Sequence, residues 1–251
     1  MTAVAWVEDS PVDMSDVDVR EVELRAGPVA PVLPRERTGE GRQLRRWLVQ
    51  VLVAERLVAV EARARGLSAA DAPTVGEIAP DRAAMLGLGS VAADLLTRSP
   101  LARAVFAAVT ADVAVPPVER FYEDNPERFR VPEERVVQHV IGSAPARRRV
   151  LRRGELTGPV EDAVFAASPG DVVGPVRDPL GTHTLVVEEV RPARMRPLDE
   201  VRPEIVEWLL AAARRRAFTA WLDREVASRV RFAPGYEHPG DPGQPDNTHR
   251  H

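Results

Sequence analysis

The chain has 251 residues, 44% hydrophobic and 29% charged, the balance of a soluble globular protein with material for one large or two modest cores. Its formal net charge of -4 offers no bulk attraction for nucleic acid or anionic lipid, and all 34 basic residues are arginine. Cysteine is absent, which excludes disulfides, thiolate metal sites and a cysteine nucleophile.

The opening run MTAVAWVEDSPVDMSD has no basic n-region and no apolar h-region, and no stretch reaches the ~18 apolar residues of a membrane helix. Cytoplasmic residence is therefore expected. Thr2–Val7 alternates as a short strand does, and the Pro- and Gly-rich stretch Gly27–Pro34 reads as a loop. A strong helix is predicted over Gly41–Arg65, where Leu44, Trp47, Leu48, Val51, Leu52, Val58, Ala59 and Ala62 recur at helical spacing before Gly66. Weaker helices are predicted over Pro80–Thr97 and Pro100–Ala111, and another from Pro116 to Asp124.

The middle of the chain changes character. Arg135–Ile141, Val172–Val176 and Thr182–Val190 read as strands, with a short helix over Val160–Ala167 closed by Pro169-Gly170. A long amphipathic helix follows over Leu198–Ser228, its buried stripe marked by Leu198, Val201, Ile205, Trp208, Leu209, Ala212, Trp221 and Leu222. Arg229–Phe232 suits a closing strand, and the composition from Ala233 onward predicts a disordered tail.

Connectivity constrains how these pieces assemble. Helices on both sides of the β-containing middle need partners for their apolar faces, and that middle is too short to cover both. The expected fold is α+β. A discontinuous helical domain, made of residues 1–130 and the C-terminal helix 193–232, carries an inserted small antiparallel-sheet domain at 131–192, with a tail at 233–251.

Four runs in this middle segment resemble the parvulin (rotamase) family of prolyl isomerases. Val-Val-Gln-His-Val-Ile at 136–141 is similar to that family's first strand with its histidine. Arg153-Gly-Glu-Leu-Thr-Gly-Pro-Val-Glu-Asp-Ala-Val-Phe165 resembles the turn and helix lining its proline pocket, and Pro169-Gly-Asp-Val-Val-Gly-Pro-Val176 the turn and strand that follow. Gly181-Thr-His-Thr-Leu-Val-Val187 resembles the last strand with the second histidine. Val118–Phe129 resembles the linker helix before such domains in bacterial foldases, and the opening strand with the Gly41–Arg65 helix resembles the N-terminal part of those chaperones.

Strand alternation puts Val137, His139 and Ile141 on one face, and His183, Leu185 and Val187 on another. Adjacent strands would let the two imidazoles pair; the alternative is two satisfied core histidines. The resemblance implies catalytic roles for His139 and His183, and a proline pocket or the core beneath it at Leu156, Val160 and Phe165. Phe165 alone reads better as core. Val160 stands where the family usually has a large aromatic. Only Gly142–Arg152 fills the space in which the family has two helices and a loop with a short strand, and no residue takes its polar Cys or Asp position.

The run Arg147–Arg153 lies in that connection. Some members of the family that this segment resembles use basic residues there to read an acidic or phosphorylated residue before proline, which makes Arg147 and Arg148 candidates for that role; a solvated helical face is the plainer reading. Arg214–Arg216 read as surface, and His238, His249 and His251 show no metal-ligand spacing.

The implied function is a peptidyl-prolyl cis-trans isomerase acting on unfolded or proline-containing polypeptide clients, with no cofactor or metal and no nucleic-acid or membrane partner. The alternative is a catalytically inactive chaperone or accessory binding protein for a dedicated partner or biosynthetic pathway. A small-molecule pocket has no carboxylate pair, triad or phosphate loop to specify it.

Overall fold

The computed structural model describes residues 2–70 and 72–237. In chain order the elements are strands β1 (Ala3–Val7) and β2 (Ser10–Asp13), then helices α1 (Met14–Ala26), α2 (Gly39–Arg65), α3 (Val75–Ile78), α4 (Arg82–Leu86), α5 (Ser90–Arg98), α6 (Pro100–Val109) and α7 (Val118–Asp124). Strands β3 (Arg130–Val131), β4 (Glu134–Ile141) and β5 (Arg147–Arg152) follow, then helix α8 (Pro159–Ala166) and strands β6 (Val172–Asp178), β7 (Gly181–Arg191) and β8 (Arg194–Met195). Helix α9 (Leu198–Arg229) and strand β9 (Val230–Phe232) close the described chain. This is the expected mixture of helices with a small antiparallel sheet.

Two compact units divide these elements. One holds the chain up to Pro116 and from Trp208 onward; the other is Pro117–Glu207. The divisions differ from those expected after residues 130 and 192: α7 and the first turns of α9 group with the sheet.

The first unit is organised around α2. Thr38 caps its start by accepting from the Gly41 N–H at 3.1 Å, and Gly66 ends it in the left-handed region at φ 65°. Leu48, Val49, Leu52, Val53 and Leu57 of α2 pack with Leu95, Leu96, Val105 and Phe106 from α5 and α6, and with Phe218, Trp221 and Leu222 from α9. The Phe106 and Phe218 rings sit 5.3 Å apart. The late part of the C-terminal helix thus packs back on the N-terminal helices, and β9 adds to the sheet β2-β1-β9 beside β1.

Several local expectations are corrected. The predicted stripe of α9 includes Trp208, which is 47% exposed, and omits Phe218, which is fully buried. At 3.6 residues per turn, Phe218 lies roughly 100–180° around the helix from Val201, Ile205 and Leu209, so a stripe drawn through those positions misses it. Helix α1 has no counterpart among the predicted elements. Its buried positions are Val17, Glu21 and Leu24, so a charged residue interrupts the apolar stripe. Glu21 is satisfied by Arg25 at 2.6 Å and Arg45 at 2.5 Å. The helix predicted over Pro80–Thr97 is two helices, broken where Gly89 takes φ 77°. The start of the predicted tail is packed: Arg46 donates to the Gly235 carbonyl at 2.8 Å, and Gln50 to that of Tyr236 at 3.3 Å. The rest of that tail, with His238, His249 and His251, lies outside the described residues.

The second unit is a four-stranded antiparallel sheet in the order β5-β4-β7-β6. Val160, Val164 and Phe165 of α8 cover one face, against Val137, Leu151, Val173, Leu185 and Val187. Ion pairs cross the strands on the opposite face. Arg148 and Gln138 both donate to Glu188, at 2.7 and 2.8 Å, while Arg152 and Arg191 flank Glu134 at 3.0 and 3.4 Å. The arginine run is therefore an edge strand rather than a helix or loop, joined to β4 by a short turn over 142–146.

Candidate functional site

β4 and β7 are adjacent and antiparallel, which decides whether the histidines meet. The register sets His139 opposite Leu185 and Ile141 opposite His183, so both imidazoles lie on the α8 side of the sheet, on neighbouring diagonal positions. Nε2 of His139 is 2.8 Å from Nδ1 of His183, and the rings stack with centroids 5.1 Å apart. Their exposures are 5% and 3%. Burial places the pair among apolar neighbours, where a polar group needs a partner; each ring supplies one to the other.

The edge strand β6 shapes the outer side. Its register shifts between Val173 and Val176, which brings Val176 opposite His183. Gly174, at φ 117°, makes the bulge. A Cβ there would lie 2.4 Å from the His183 carbonyl oxygen, a contact that only glycine avoids.

Asp178 completes the cluster, and no sequence expectation named it. It ends β6 at the hairpin to β7, and its Oδ1 accepts from His183 Nε2 at 2.7 Å. The same oxygen accepts from the N–H groups of Leu180 at 2.7 Å and Gly181 at 3.1 Å. Burial pushes the Asp178 carboxyl up, but the His183 hydrogen bond and the two backbone donors outweigh it and hold it below the usual carboxylate range. Burial is also the largest influence on His139. His183 and Arg149 act in the same direction and Asp178 against them, and the imidazole is held below its ordinary value. A sequence signal for Asp178 exists: Asp-Pro-Leu-Gly is a turn pattern, and a tight hairpin there folds Asp178 back toward His183.

The remaining candidates fall in different places. Leu156 is half-buried against the edge of the α8 core. Val160 and Phe165 are core residues, 2% and 5% exposed, with Phe165 also against the guanidinium groups of Arg135 and Arg153 at 5.1 and 4.6 Å. The register sets Arg147 opposite His139 and Arg149 opposite Val137, so both belong to the histidine face. Arg148 is opposite Gln138, on the other face, where it pairs with Glu188. The strand period thus keeps Arg147 near the histidines, removes Arg148 and brings in Arg149. Among the described residues no cluster of three metal-ligating side chains occurs, and no described helix is long and apolar enough to cross a membrane.

Residues 141–203 match the family model of the PPIC-type PPIase domain. The chain carries a parvulin-type domain. The match takes in β5, α8, β6 and β7 with His183, while His139 lies just before it on β4. Residues 3–40 match a family of unknown function, DUF7158. No curated protein matches the sequence. Two solved structures from a study of SurA-like chaperones of Campylobacter jejuni are similar. One is 10% identical at a TM-score of 0.43, covering 93% of this chain and 100% of its own. The other is 14% identical at 0.41, covering 90% and 96%. The peptidylprolyl isomerase PrsA of Bacillus anthracis is 14% identical at a TM-score of 0.23, covering 84% of this chain and 96% of its own.

Proposed function

We propose that the parvulin-type domain acts on Xaa-Pro segments of polypeptide clients as a peptidyl-prolyl cis-trans isomerase, with His139 and His183 at its centre. The observation that carries this reading is the buried 2.8 Å contact between the two imidazoles, within a chain that matches the isomerase family model. Amide resonance sets the barrier to be lowered, about 18–20 kcal/mol. No bond other than the amide's own partial double bond is disturbed, so the site needs only to favour the twisted amide over both planar forms. Leu156 offers apolar surface at the edge of the α8 core, and Arg147 and Arg149 on the histidine face give the pair a positive flank that suits an acidic residue before proline.

The test is isomerisation of a panel of Xaa-Pro peptides, acidic and neutral at Xaa, by the full chain. The expected result is a rate above background that disappears in the His139→Ala, His183→Ala double variant. Equal background rates for both proteins would defeat the enzyme reading.

A second reading has its own support. Val160 and Phe165 are closed into the core, and the β4–β5 connection spans only 142–146, so little apolar surface is left to grip a proline ring. This favours an inactive chaperone or accessory binding protein on the same scaffold. Suppression of client aggregation by a chain with no isomerase activity is the outcome that would select it.

A further inference from the structure

The acceptor at the end of β6 has a direction built into it. Main-chain N–H groups can only donate, and two of them, from Leu180 and Gly181, are aimed at Oδ1 of Asp178. That oxygen is committed to accepting, so the third contact, His183 Nε2 at 2.7 Å, has to be a donor. When each ring carries one proton, His183 Nδ1 then holds a lone pair. The 2.8 Å contact between the rings runs in one sense: His139 Nε2–H donates to His183 Nδ1. His139 Nδ1 is left as an acceptor.

We infer that Asp178 is a positioning residue that fixes the direction of the hydrogen-bond chain through the histidine pair, so that the client group meeting His139 Nδ1 is an N–H or O–H donor, such as a polypeptide backbone amide. The inference rests on the proposed function for its client, though not for its geometry. Without the carboxylate, the reversed order, in which His183 Nδ1–H donates to His139 Nε2, becomes equally available. The site then loses its single acceptor face. Asparagine at 178 retains a carbonyl oxygen for the same three donors, so it preserves the order while removing the charge.

The experiment reads the ring nitrogens directly, by 15N NMR of the full chain labelled at histidine, at neutral pH, with His139→Gln and His183→Gln for assignment. The expected wild-type spectrum has each of the two rings in the Nε2–H form with Nδ1 unprotonated. Asp178→Asn keeps that pattern, and Asp178→Ala loses it, both rings moving together toward averaged shifts. A wild-type spectrum with Nδ1–H on His183, or already averaged, would overturn the inference. So would a folded Asp178→Ala protein with the wild-type pattern. If alanine disrupts the hairpin that Asp178 caps, the wild-type and asparagine spectra still decide. The readout needs no turnover. A directed pair in a protein that isomerises nothing defeats the proposed function alone, and an averaged pair in an active enzyme defeats this inference alone.

Discussion

Gly174 lies under His183 so closely that a Cβ on it would reach 2.4 Å from the His183 carbonyl oxygen. The bulge at Gly174 lets β6 follow β7 through its register shift and sets Val176 opposite the histidine. Gly174→Ala combines that clash with a backbone at φ 117°, which alone costs about 1–3 kcal/mol in a residue with a side chain. Denaturant unfolding of the variant is expected to show a loss of at least that size, together with displaced ring signals for His183. Wild-type stability and unchanged ring signals would mean that β6 adjusts freely.

The histidine pair also predicts a pH dependence. His139 is held below its ordinary value, by burial first, then by His183 and Arg149, with Asp178 opposing. As pH falls through about 6.5, the unfolded chain takes up this proton before the folded one does. The contribution is present above the unfolded value and is lost as pH drops toward the lower folded value. Urea midpoints measured from pH 8 to pH 5 are expected to fall below about pH 6.5, and His139→Gln is expected to flatten that fall. An identical slope in the variant would remove His139 as its source.

At the entry to α9, Glu200 is bound by Arg194 at 2.9 Å and Arg196 at 2.7 Å, and these pairs lower its carboxyl to about 2. Its stabilising pairing is present above the ordinary carboxylate range and lost as pH falls toward 2. Arg196→Ala removes one partner and is expected to raise the Glu200 titration, observed by carboxyl 13C NMR. The pairs are solvent-facing, so salt is expected to weaken the effect.

The two aromatic residues of α9 invite a direct comparison. Phe218 is fully buried against Phe106 and Trp221, whereas Trp208 is 47% exposed. Phe218→Ala is expected to destabilise the chain by about 3–5 kcal/mol, the cost of truncating a core aromatic. Trp208→Ala is expected to cost clearly less than Phe218→Ala, because about half of its surface already faces water. Equal losses in thermal unfolding would contradict this reading of the helix.

Alternation along single strands was enough to put His139 with Val137 and Ile141, and His183 with Leu185 and Val187, because the side-chain period of a strand is a local property. The period of α2 and the stop at Gly66 were legible for the same reason. Strand order was not. Only the arrangement β5-β4-β7-β6 makes the histidines neighbours, places Arg147 and Arg149 on their side, and gives Arg148 to Glu188, forty residues away. Asp178 became visible as a partner only through the hairpin that folds β6 onto β7. α1 and the two ends of α9 escaped because their buried faces are set by what packs against them: arginines that neutralise Glu21, and a late α9 face turned toward Phe106. Periodicity belongs to the chain and is written in it. Partners, and therefore the donor and acceptor roles within the site, exist only once distant segments have been brought together.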